Sequence, residues 1–167
     1  MKEKLKYYIK EILIFTIAMI ISTNLISIYK SQELSTAPLT IHSLKLIDNQ
    51  TYNFATDKPL LIHFWATWCP VCKIEAPNIE FIKEHFNVIT IAVDSGSNLE
   101  IKKYLQEKGY NFLVVNDKSK VLSKEFNVVG YPTTFIYNKD KKLIFSEVGY
   151  TSSIGLYLRM WWASFRD

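Results

Sequence analysis

The chain has 167 residues, of which 49% are hydrophobic and 14% aromatic, and its formal net charge is +4. That length fits one domain, and the apolar fraction suffices for a packed core, which excludes a disordered chain. Two cysteines are too few for a disulfide scaffold or a four-thiolate metal site. Residues 1–30 carry five lysines and two glutamates, whereas the remaining residues carry 15 basic and 14 acidic groups. The excess charge therefore lies at the N-terminus, and no basic stripe in the rest of the chain indicates nucleic-acid binding.

The first part of the chain has the pattern of a membrane anchor. Residues 12–29 form an uncharged, mostly apolar stretch, close to the ~20 residues that a transmembrane helix needs. Four lysines precede the stretch and only Lys30 follows it closely, so the positive-inside rule predicts a cytoplasmic N-terminus. A cleaved signal peptide is the alternative, although its apolar stretch is usually shorter and leads directly into a small-residue cleavage site. Both interpretations export the domain to an oxidising compartment.

These features divide the chain into four predicted parts. They are a cytoplasmic basic segment at 1–11, a transmembrane anchor at 12–29, a polar linker at 30–38 and a domain at 39–167.

Within the domain, strand and helix patterns alternate. Strand patterns, either alternating or continuously apolar, occur at residues 39–47, 52–54, 60–65, 88–93, 112–115, 133–137 and 143–148. Helix patterns occur at residues 70–86, 99–107, 118–126 and 154–165. Polar turns join the first two strands and the last two, so each of these pairs is predicted to form a hairpin. The order β-β-β-α-β-α-β-α-β-β-α predicts an α/β fold, with a central mixed β-sheet flanked by helices.

A pair of cysteines lies where the buried strand at 60–65 gives way to a helix. Cys69 falls at the helix N-terminus, where unpaired N–H groups and the helix dipole stabilise an anion and lower a thiol pKa. Pro70 suits the first helical turn, because its missing N–H would have no intrahelical partner there. Cys72 lies one turn further along the same face, within reach of the Cys69 sulfur. This placement predicts a redox-active pair.

Two structural alternatives exist for the cysteine pair. Half of a zinc site would need a second ligand pair, but the chain has no further cysteine and its histidines, His42, His63 and His85, are scattered. An inert disulfide is the other alternative, although a bridge that closes so short a loop stabilises a fold only weakly. We therefore predict no metal and no cofactor.

Two motifs carry a resemblance to a known family. Residues 64–73 read F-W-A-T-W-C-P-V-C-K, which resembles the active-site strand and helix of the thioredoxin superfamily. Further on, Pro132 in the run V-G-Y-P-T matches that family's cis-proline loop, and Gly149 after the last strand matches as well. The resemblance covers residues 39–165. It implies a thioredoxin-like fold, here preceded by one N-terminal transmembrane helix.

Within the superfamily, the chain is most similar to the membrane-anchored, periplasm-facing branch of TlpA, ResA and ScsD proteins. The similarity rests on the N-terminal segment, the form A-T-W-C-P, the run Glu75-Ala76-Pro77 and a helix-bearing insert around 94–111. Cytochrome-maturation members usually carry Pro-Glu-Thr at the cis-proline loop, whereas this chain has Pro132-Thr133-Thr134, which argues against such a dedicated role. The resemblance implies a protein thiol–disulfide oxidoreductase of the cytoplasmic membrane, with its catalytic domain in the periplasm.

The resemblance also assigns roles to the residues that carry the chemistry. Cys69 is the attacking thiolate, and Cys72 is the resolving thiol that releases the mixed disulfide. Glu75 matches a carboxylate that tunes the thiols and carries protons, or else it is a solvated helix charge. His63 stands where cytoplasmic thioredoxins have a buried aspartate, so it either accepts the Cys72 proton or is hydrogen-bonded in the core.

Substrate binding is expected at the cis-proline loop. With Pro132 in the cis form, the Tyr131 backbone would pair with an extended substrate segment, and Trp68 would border the site. The structural alternative for Pro132 is a tight turn before a strand. The last helix contains six large apolar residues that predict either a sheet-packing face or an interfacial membrane helix. They are Leu156, Leu158, Met160, Trp161, Trp162 and Phe165.

The predicted activity is disulfide exchange with protein substrates, in the reducing direction. Its partners would be disulfide-bonded proteins, an inner-membrane thiol donor that re-reduces the pair, and the membrane itself through the N-terminal helix. Two alternatives from other classes are a peroxiredoxin-like peroxidase and a Cu(I)-binding module, since Cu(I) accepts thiolate ligands.

Overall fold

A long N-terminal helix precedes the domain. The computed structural model describes residues 2–31, 34–54 and 57–166, and the first helix, α1, spans Lys2–Ser31. Among these residues, we find no helix with an apolar stretch long enough to span a bilayer. The predicted anchor at 12–29 includes residues 20 and 23–29, whose side chains lie outside the described part of the chain.

The strands form one small hairpin and one mixed sheet. The hairpin pairs β1 (Ser43–Lys45) with β2 (Thr51–Asn53) in antiparallel orientation. The sheet contains β3 (Leu60–Trp65), β4 (Asn87–Val93), β5 (Val114–Asp117), β6 (Thr133–Tyr137) and β7 (Leu143–Val148). Its strand order is β5-β4-β3-β6-β7, with β3, β4 and β5 mutually parallel and β6 and β7 antiparallel to their neighbours. This confirms the predicted central mixed sheet.

In the part of the chain that the structure describes, four helices follow α1. They are α2 (Pro70–Lys83), α3 (Asn98–Lys108), α4 (Val121–Glu125) and α5 (Ser153–Ser164). The ends of α3 show the local chemistry that bounds a helix. A capping box begins α3, because the Ser97 and Glu100 side chains each accept the other's backbone N–H. The same helix ends at Gly109, whose left-handed φ of 71° suits a residue without a Cβ.

The strand predicted at 39–47 is only Ser43–Lys45, and the helix predicted at 70–86 ends at Lys83. Two further elements lie in slightly different places. The strand expected at 112–115 is β5 at Val114–Asp117, because Phe112 instead packs its ring against Trp65 and Tyr110. Asp117 ends the strand with a buried carboxylate that accepts two backbone N–H groups of the next helix, α4. The short helix therefore begins at Val121 rather than at residue 118.

The central strand β3 is buried on both faces, as its continuous apolar run predicts. Leu60, Ile62 and Phe64 face a core that also contains the side chain of Leu34, from the predicted linker. Leu61 and Trp65 alternate with them and belong to the two clusters that α2 covers, so His63 between them lies on that side as well.

The last helix packs against the sheet through one of its sides. Leu156, Met160 and Ala163 are fully buried with Leu61 and Ile136. The sheet-packing interpretation is therefore right for Leu156 and Met160. Four of the other large apolar residues of this segment are exposed, namely Leu158, Trp161, Trp162 and Phe165.

Candidate active site

The two cysteines form a disulfide at the start of α2. Cys69 is the N-cap residue, and its Sγ accepts the backbone N–H of Cys72 at 3.1 Å. The fold brings this about because β3 ends at Trp65 and Pro70 opens the helix, which leaves Cys69 where free N–H groups gather. Both residues are nearly buried, with 4% and 3% of their surface exposed. The helix N-terminus therefore favours the thiolate form of Cys69 once the disulfide opens.

The loop before β6 faces this disulfide. The Tyr131–Pro132 peptide bond is cis, as the family resemblance implies, and the Tyr131 carbonyl oxygen lies 3.6 Å from Cys69 Sγ. The Pro132 carbonyl accepts the Gly149 N–H at 2.8 Å, which ties the loop to the end of β7. Gly149 has a φ of 105°, a backbone conformation that favours glycine.

Trp68 forms the exposed rim of the site. It is 55% exposed, and its indole N–H donates to the Asp94 carbonyl oxygen at 2.9 Å. Its ring meets the Tyr131 ring edge to face, with centroids 5.8 Å apart. Lys120 pairs with the Asp94 carboxylate at 2.8 Å and so joins the loops that follow β4 and β5. The Trp68 ring is therefore held by the Asp94 carbonyl and lies against the ring of Tyr131, whose carbonyl faces Cys69.

Glu75 lies one helical turn beyond Cys72 and is fully buried, so it is not a solvated helix charge. Its Oε1 accepts the Thr151 backbone N–H at 3.0 Å, whereas its buried Oε2 has no hydrogen-bond partner among the residues that the structure describes. Burial raises the pKa of Glu75 to about 8, against the lowering effect of the Thr151 N–H and with a smaller raising effect from Glu147. A carboxyl group with this pKa can take up and release a proton near neutral pH.

His63 is a second buried titratable group on the same side of the sheet. Its Nδ1 lies 3.0 Å from the Thr134 hydroxyl oxygen, and burial lowers its pKa to about 3. The imidazole is therefore neutral at physiological pH and suits a hydrogen-bonded core position.

The sequence and the fold are similar to those of known proteins. Residues 38–146 match the AhpC/TSA family. The chain belongs to the AhpC/TSA family. It is 29% identical over 168 residues to a thioredoxin-like protein of Haemophilus influenzae, in an alignment covering 97% of this chain and 98% of that protein. It is 33% identical over 91 residues to the thiol-disulfide oxidoreductase ResA of Bacillus subtilis, covering 52% of this chain and 51% of ResA.

Solved structures with the same fold confirm the architecture of this family member. The exposed lipoprotein thioredoxin Etrx1 of Streptococcus pneumoniae superposes with a TM-score of 0.64 at 24% identity, over 74% of this chain and 98% of that one. StoA of Bacillus subtilis superposes with a TM-score of 0.63 at 22% identity, over 75% of this chain and 98% of StoA. With the Cys69–Cys72 disulfide and the thiol-disulfide oxidoreductases among its relatives, the chain is a protein thiol–disulfide oxidoreductase of thioredoxin-like fold.

Some contacts of this AhpC/TSA family site have no signal in the sequence. Thr151 reaches Glu75 across 76 positions, and Thr134 reaches His63 across 71. Glu147 accepts the Thr151 hydroxyl at 2.9 Å and pairs with Arg159 at 2.5 Å. Only the topology, which pairs β6 with β3 and brings the end of β7 beside α2, could have revealed these partners.

Within the described ranges, no three His, Cys, Asp or Glu side chains lie close enough together to hold a metal ion.

Proposed function

We propose that this oxidoreductase reduces disulfides of exported proteins in the periplasm, at a membrane to which its N-terminal segment anchors it. The observation that carries the proposal is the position of the Cys69 sulfur. It caps α2 and faces the Tyr131 carbonyl at 3.6 Å, beside the cis peptide bond of Pro132. A sulfur in this place is stabilised as a thiolate and lies next to backbone that can hold an extended peptide.

The reaction is a two-step thiol–disulfide exchange. The Cys69 thiolate attacks one sulfur of a substrate disulfide, that S–S bond breaks, and the released substrate thiolate takes up a proton. Cys72 then gives up its proton and attacks the Cys69 sulfur, the mixed disulfide breaks, and the second substrate sulfur leaves as a thiolate that takes up a proton. Two electrons pass from the pair to the substrate, and a membrane-bound dithiol donor restores the reduced pair.

Glu75 is the group that we assign to the Cys72 proton. It lies one turn from Cys72, its Oε2 has no partner, and its pKa of about 8 is close to that of a thiol. His63 is the weaker candidate, because a base with a pKa of about 3 has little affinity for a proton at neutral pH.

Substrate recognition is assigned to the Tyr131 backbone, Pro132 and the exposed Trp68 ring. An extended segment on either side of the substrate cysteine would pair with the Tyr131 backbone by strand addition. Trp68 would offer it an apolar contact, since more than half of its surface, 55%, is exposed.

The membrane location rests on the N-terminal sequence. We assign residues 1–11 to the cytoplasm, 12–29 to the anchor, 30–38 to the linker and 39–167 to the exported domain. Protease treatment of spheroplasts tests this assignment. The domain should be digested from outside while an epitope at residue 1 survives, and the reverse pattern would contradict it.

The exchange mechanism is tested by trapping in cells. Cys72→Ala leaves the mixed disulfide unresolved, so exported proteins should be captured on Cys69 and released by dithiothreitol. Cys69→Ala is the matched control and should capture nothing. Equal capture by Cys69→Ala would reverse the two roles, and no capture by Cys72→Ala would contradict the mechanism.

The direction of electron flow is tested by equilibrating the full chain with glutathione or dithiothreitol buffers. A reduction potential below about −250 mV, in the range of thioredoxin, supports a reductase. A value near about −120 mV would identify an oxidant and contradict the reducing role.

A further inference from the structure

A row of polar side chains crosses the sheet beneath α2 and ends at Glu147. In the strand register, Thr134 on β6 is aligned with His63 on β3 and with Glu147 on β7. Residues aligned in neighbouring strands project to the same face of a sheet. His63 and Thr134 are buried, whereas the Glu147 side chain is 23% exposed. The row therefore leads from the buried centre of the sheet to a carboxylate that solvent reaches.

Thr151 joins Glu147 to Glu75. Its backbone N–H donates to Glu75 Oε1 at 3.0 Å, and its hydroxyl donates to Glu147 Oε2 at 2.9 Å. The Thr151 carbonyl oxygen accepts the side-chain amide of Asn78 at 2.9 Å, so all three polar groups of this buried residue are engaged. Two carboxylates are thus held on different atoms of one residue.

Arg159 is held beside Glu147 by its surroundings. Its Nη2 lies 2.5 Å from Glu147 Oε1, and its guanidinium carbon lies 5.9 Å from the centroid of the Phe145 ring. A Cβ at position 155 would lie 2.9 Å from Arg159 Nη1, too close for a carbon atom, so Gly155 gives the guanidinium its place. The sequence and the packing thus keep one cation next to Glu147.

Few ionisable side chains of the described residues face Glu75. They are Cys72 on its own helix, His63 on β3 and Glu147 on β7, with Arg159 of α5 behind Glu147. β4 carries no ionisable residue, and Tyr137 of β6 packs in the opposite core. The other ionisable residues of α2, of α5 and of the loop between β7 and α5 are exposed or contact other partners, namely Lys73, Glu80, Lys83, Tyr150 and Tyr157.

Two of these groups carry the charge that acts on Glu75. The His63 imidazole is neutral, because burial lowers its pKa to about 3. Burial is the largest cause of the raised pKa of Glu75, and the charge of Glu147 adds to it. Arg159 carries the opposite charge and lies against Glu147, so it offsets part of that effect.

The ion pair affects a proton transfer that the exchange requires. When Cys72 attacks, its proton leaves the sulfur and neutralises Glu75, so one of the two carboxylates on Thr151 loses its charge. Repulsion from Glu147 favours this neutral form, but without an offset it would keep Glu75 protonated beforehand, and a protonated carboxyl cannot accept a second proton. The opposed charges of Glu147 and Arg159 therefore bring Glu75 into the range where it exchanges a proton with a thiol.

We propose that Glu147 and Arg159 are positioning residues for the thiol–disulfide exchange, and that across Thr151 they match the proton affinity of Glu75 to that of the Cys72 thiol. The proposal rests on the assignment of the Cys72 proton to Glu75 made above and adds the two residues that adjust it. A partly exposed ion pair contributes little to the stability of a fold. The effect of this pair should therefore be found in the titration of Glu75.

The test follows that titration by carbon-13 NMR of the full chain in detergent micelles, with the glutamate carboxyl carbons labelled and Glu75→Gln used to assign the resonance. In Glu147→Gln, glutamine still accepts the Thr151 hydroxyl but carries no charge, so the pKa of Glu75 should fall by about half a pH unit. In Arg159→Gln, the charge of Glu147 is no longer offset, so the pKa of Glu75 should rise.

The opposite signs distinguish this role from a structural one. If the ion pair only held Thr151 in place, both variants would weaken the N–H contact that lowers the pKa of Glu75, and both would raise that pKa. Glu147→Asp keeps the charge and should stay closer to wild type than Glu147→Gln. Shifts of the same sign in Glu147→Gln and Arg159→Gln, or no shift in either, would overturn the proposal.

The exposed ion pair of α3 provides the matched control. Lys103 and Glu107 lie 3.8 Å apart on that helix, and neither Lys103→Gln nor Glu107→Gln should change the titration of Glu75. Shifts as large as those of the Glu147 and Arg159 variants would show that Glu75 responds to the net charge of the chain, and would overturn the proposal.

Single-turnover kinetics separate this proposal from the assignment on which it rests. The reduced full chain is mixed with insulin as the disulfide probe, and closure of the Cys69–Cys72 disulfide is followed over a range of pH. An unchanged pH profile in Glu75→Gln would overturn the assignment and this proposal together. A profile that changes in Glu75→Gln but not in Glu147→Gln or Arg159→Gln would leave the assignment intact and overturn this proposal alone. We expect the profile to move to lower pH in Glu147→Gln and to higher pH in Arg159→Gln.

Discussion

The two faces of the central sheet differ in chemistry. On one face, three phenylalanine rings, none of which can ionise, form a cluster with centroids 5.2 to 5.7 Å apart: Phe64, Phe126 and Phe135. On the other face, under α2, His63 is aligned with Thr90 on one neighbouring strand and Thr134 on the other. Glu75 is buried on that side as well. One face therefore supplies stability that is independent of pH, and the other places titratable groups beneath the helix that carries the cysteines.

The largest expected effect comes from the apolar face. Phe135→Ala removes a fully buried ring that contacts both Phe64 and Phe126, so we expect a loss of about 3–5 kcal/mol in the free energy of unfolding. Denaturant titration of the oxidised protein at pH 5 and pH 8 should give the same loss at both values. Phe135→Leu, the milder control, should cost less, and a loss that changes with pH would contradict the division between the faces.

Glu75→Gln should have the next largest effect, with a pH dependence that the apolar face lacks. The pKa of Glu75 is about 8 in the folded protein and near 4.5 when unfolded. Between these values the unfolded chain releases a proton that the folded chain keeps, so wild-type stability falls as the pH rises from about 4.5 to about 8. The variant keeps an acceptor for the Thr151 N–H and lacks this loss, which amounts to about 3 kcal/mol between pH 5 and pH 8.

Unfolding of wild type and Glu75→Gln at several pH values measures this difference directly. The exposed carboxylate of Glu107 provides the matched control, since Glu107→Gln should leave the pH profile unchanged. Parallel profiles for wild type and Glu75→Gln would show that the Glu75 carboxyl titrates normally, and would remove its assignment as proton acceptor.

His63 should affect the stability of the fold in the acidic pH range. Its pKa is about 3 when folded and 6.5 when unfolded, so between these values the unfolded chain holds a proton that the folded chain lacks. Stability therefore falls as the pH drops below 6.5, by about 2 kcal/mol at pH 5. His63→Gln should lose this acid sensitivity, whatever its cost at pH 7. Equal acid sensitivity in the variant would mean that His63 becomes protonated within the folded protein.

The sequence predicts the apolar framework better than the polar contacts. Periodicity locates β3, β6 and β7 at their observed bounds, because burial on one or both faces imposes a local pattern on the residues. The cysteine pair and Pro132 are also local motifs. The partners of Glu75 and His63 lie more than 70 positions away, at Thr151 and Thr134, and no local pattern encodes them.

The same reasoning explains the two shifted elements. Phe112 is apolar and extends the strand pattern, but its ring lies in an aromatic cluster outside the sheet. Asp117 is polar and ends the pattern, yet it pairs with Val93 in the ladder, and its carboxylate caps the following helix. In both cases a tertiary contact overrides the residue's intrinsic preference for or against a β-strand.

The smallest expected effect comes from Thr134→Val, which changes one hydroxyl in the row of polar residues under α2. Thr134 is 3% exposed and lies 3.0 Å from His63 Nδ1, so valine fits the strand but leaves the buried imidazole without this partner. We expect a loss of about 1 kcal/mol in the free energy of unfolding at pH 7. In a His63→Leu background the same change should cost less, because no polar atom is then left unpaired. If the two changes are additive in a double-mutant cycle, the hydrogen bond between Thr134 and His63 contributes nothing to the free energy of unfolding. Packing alone would then explain why these polar side chains are buried here.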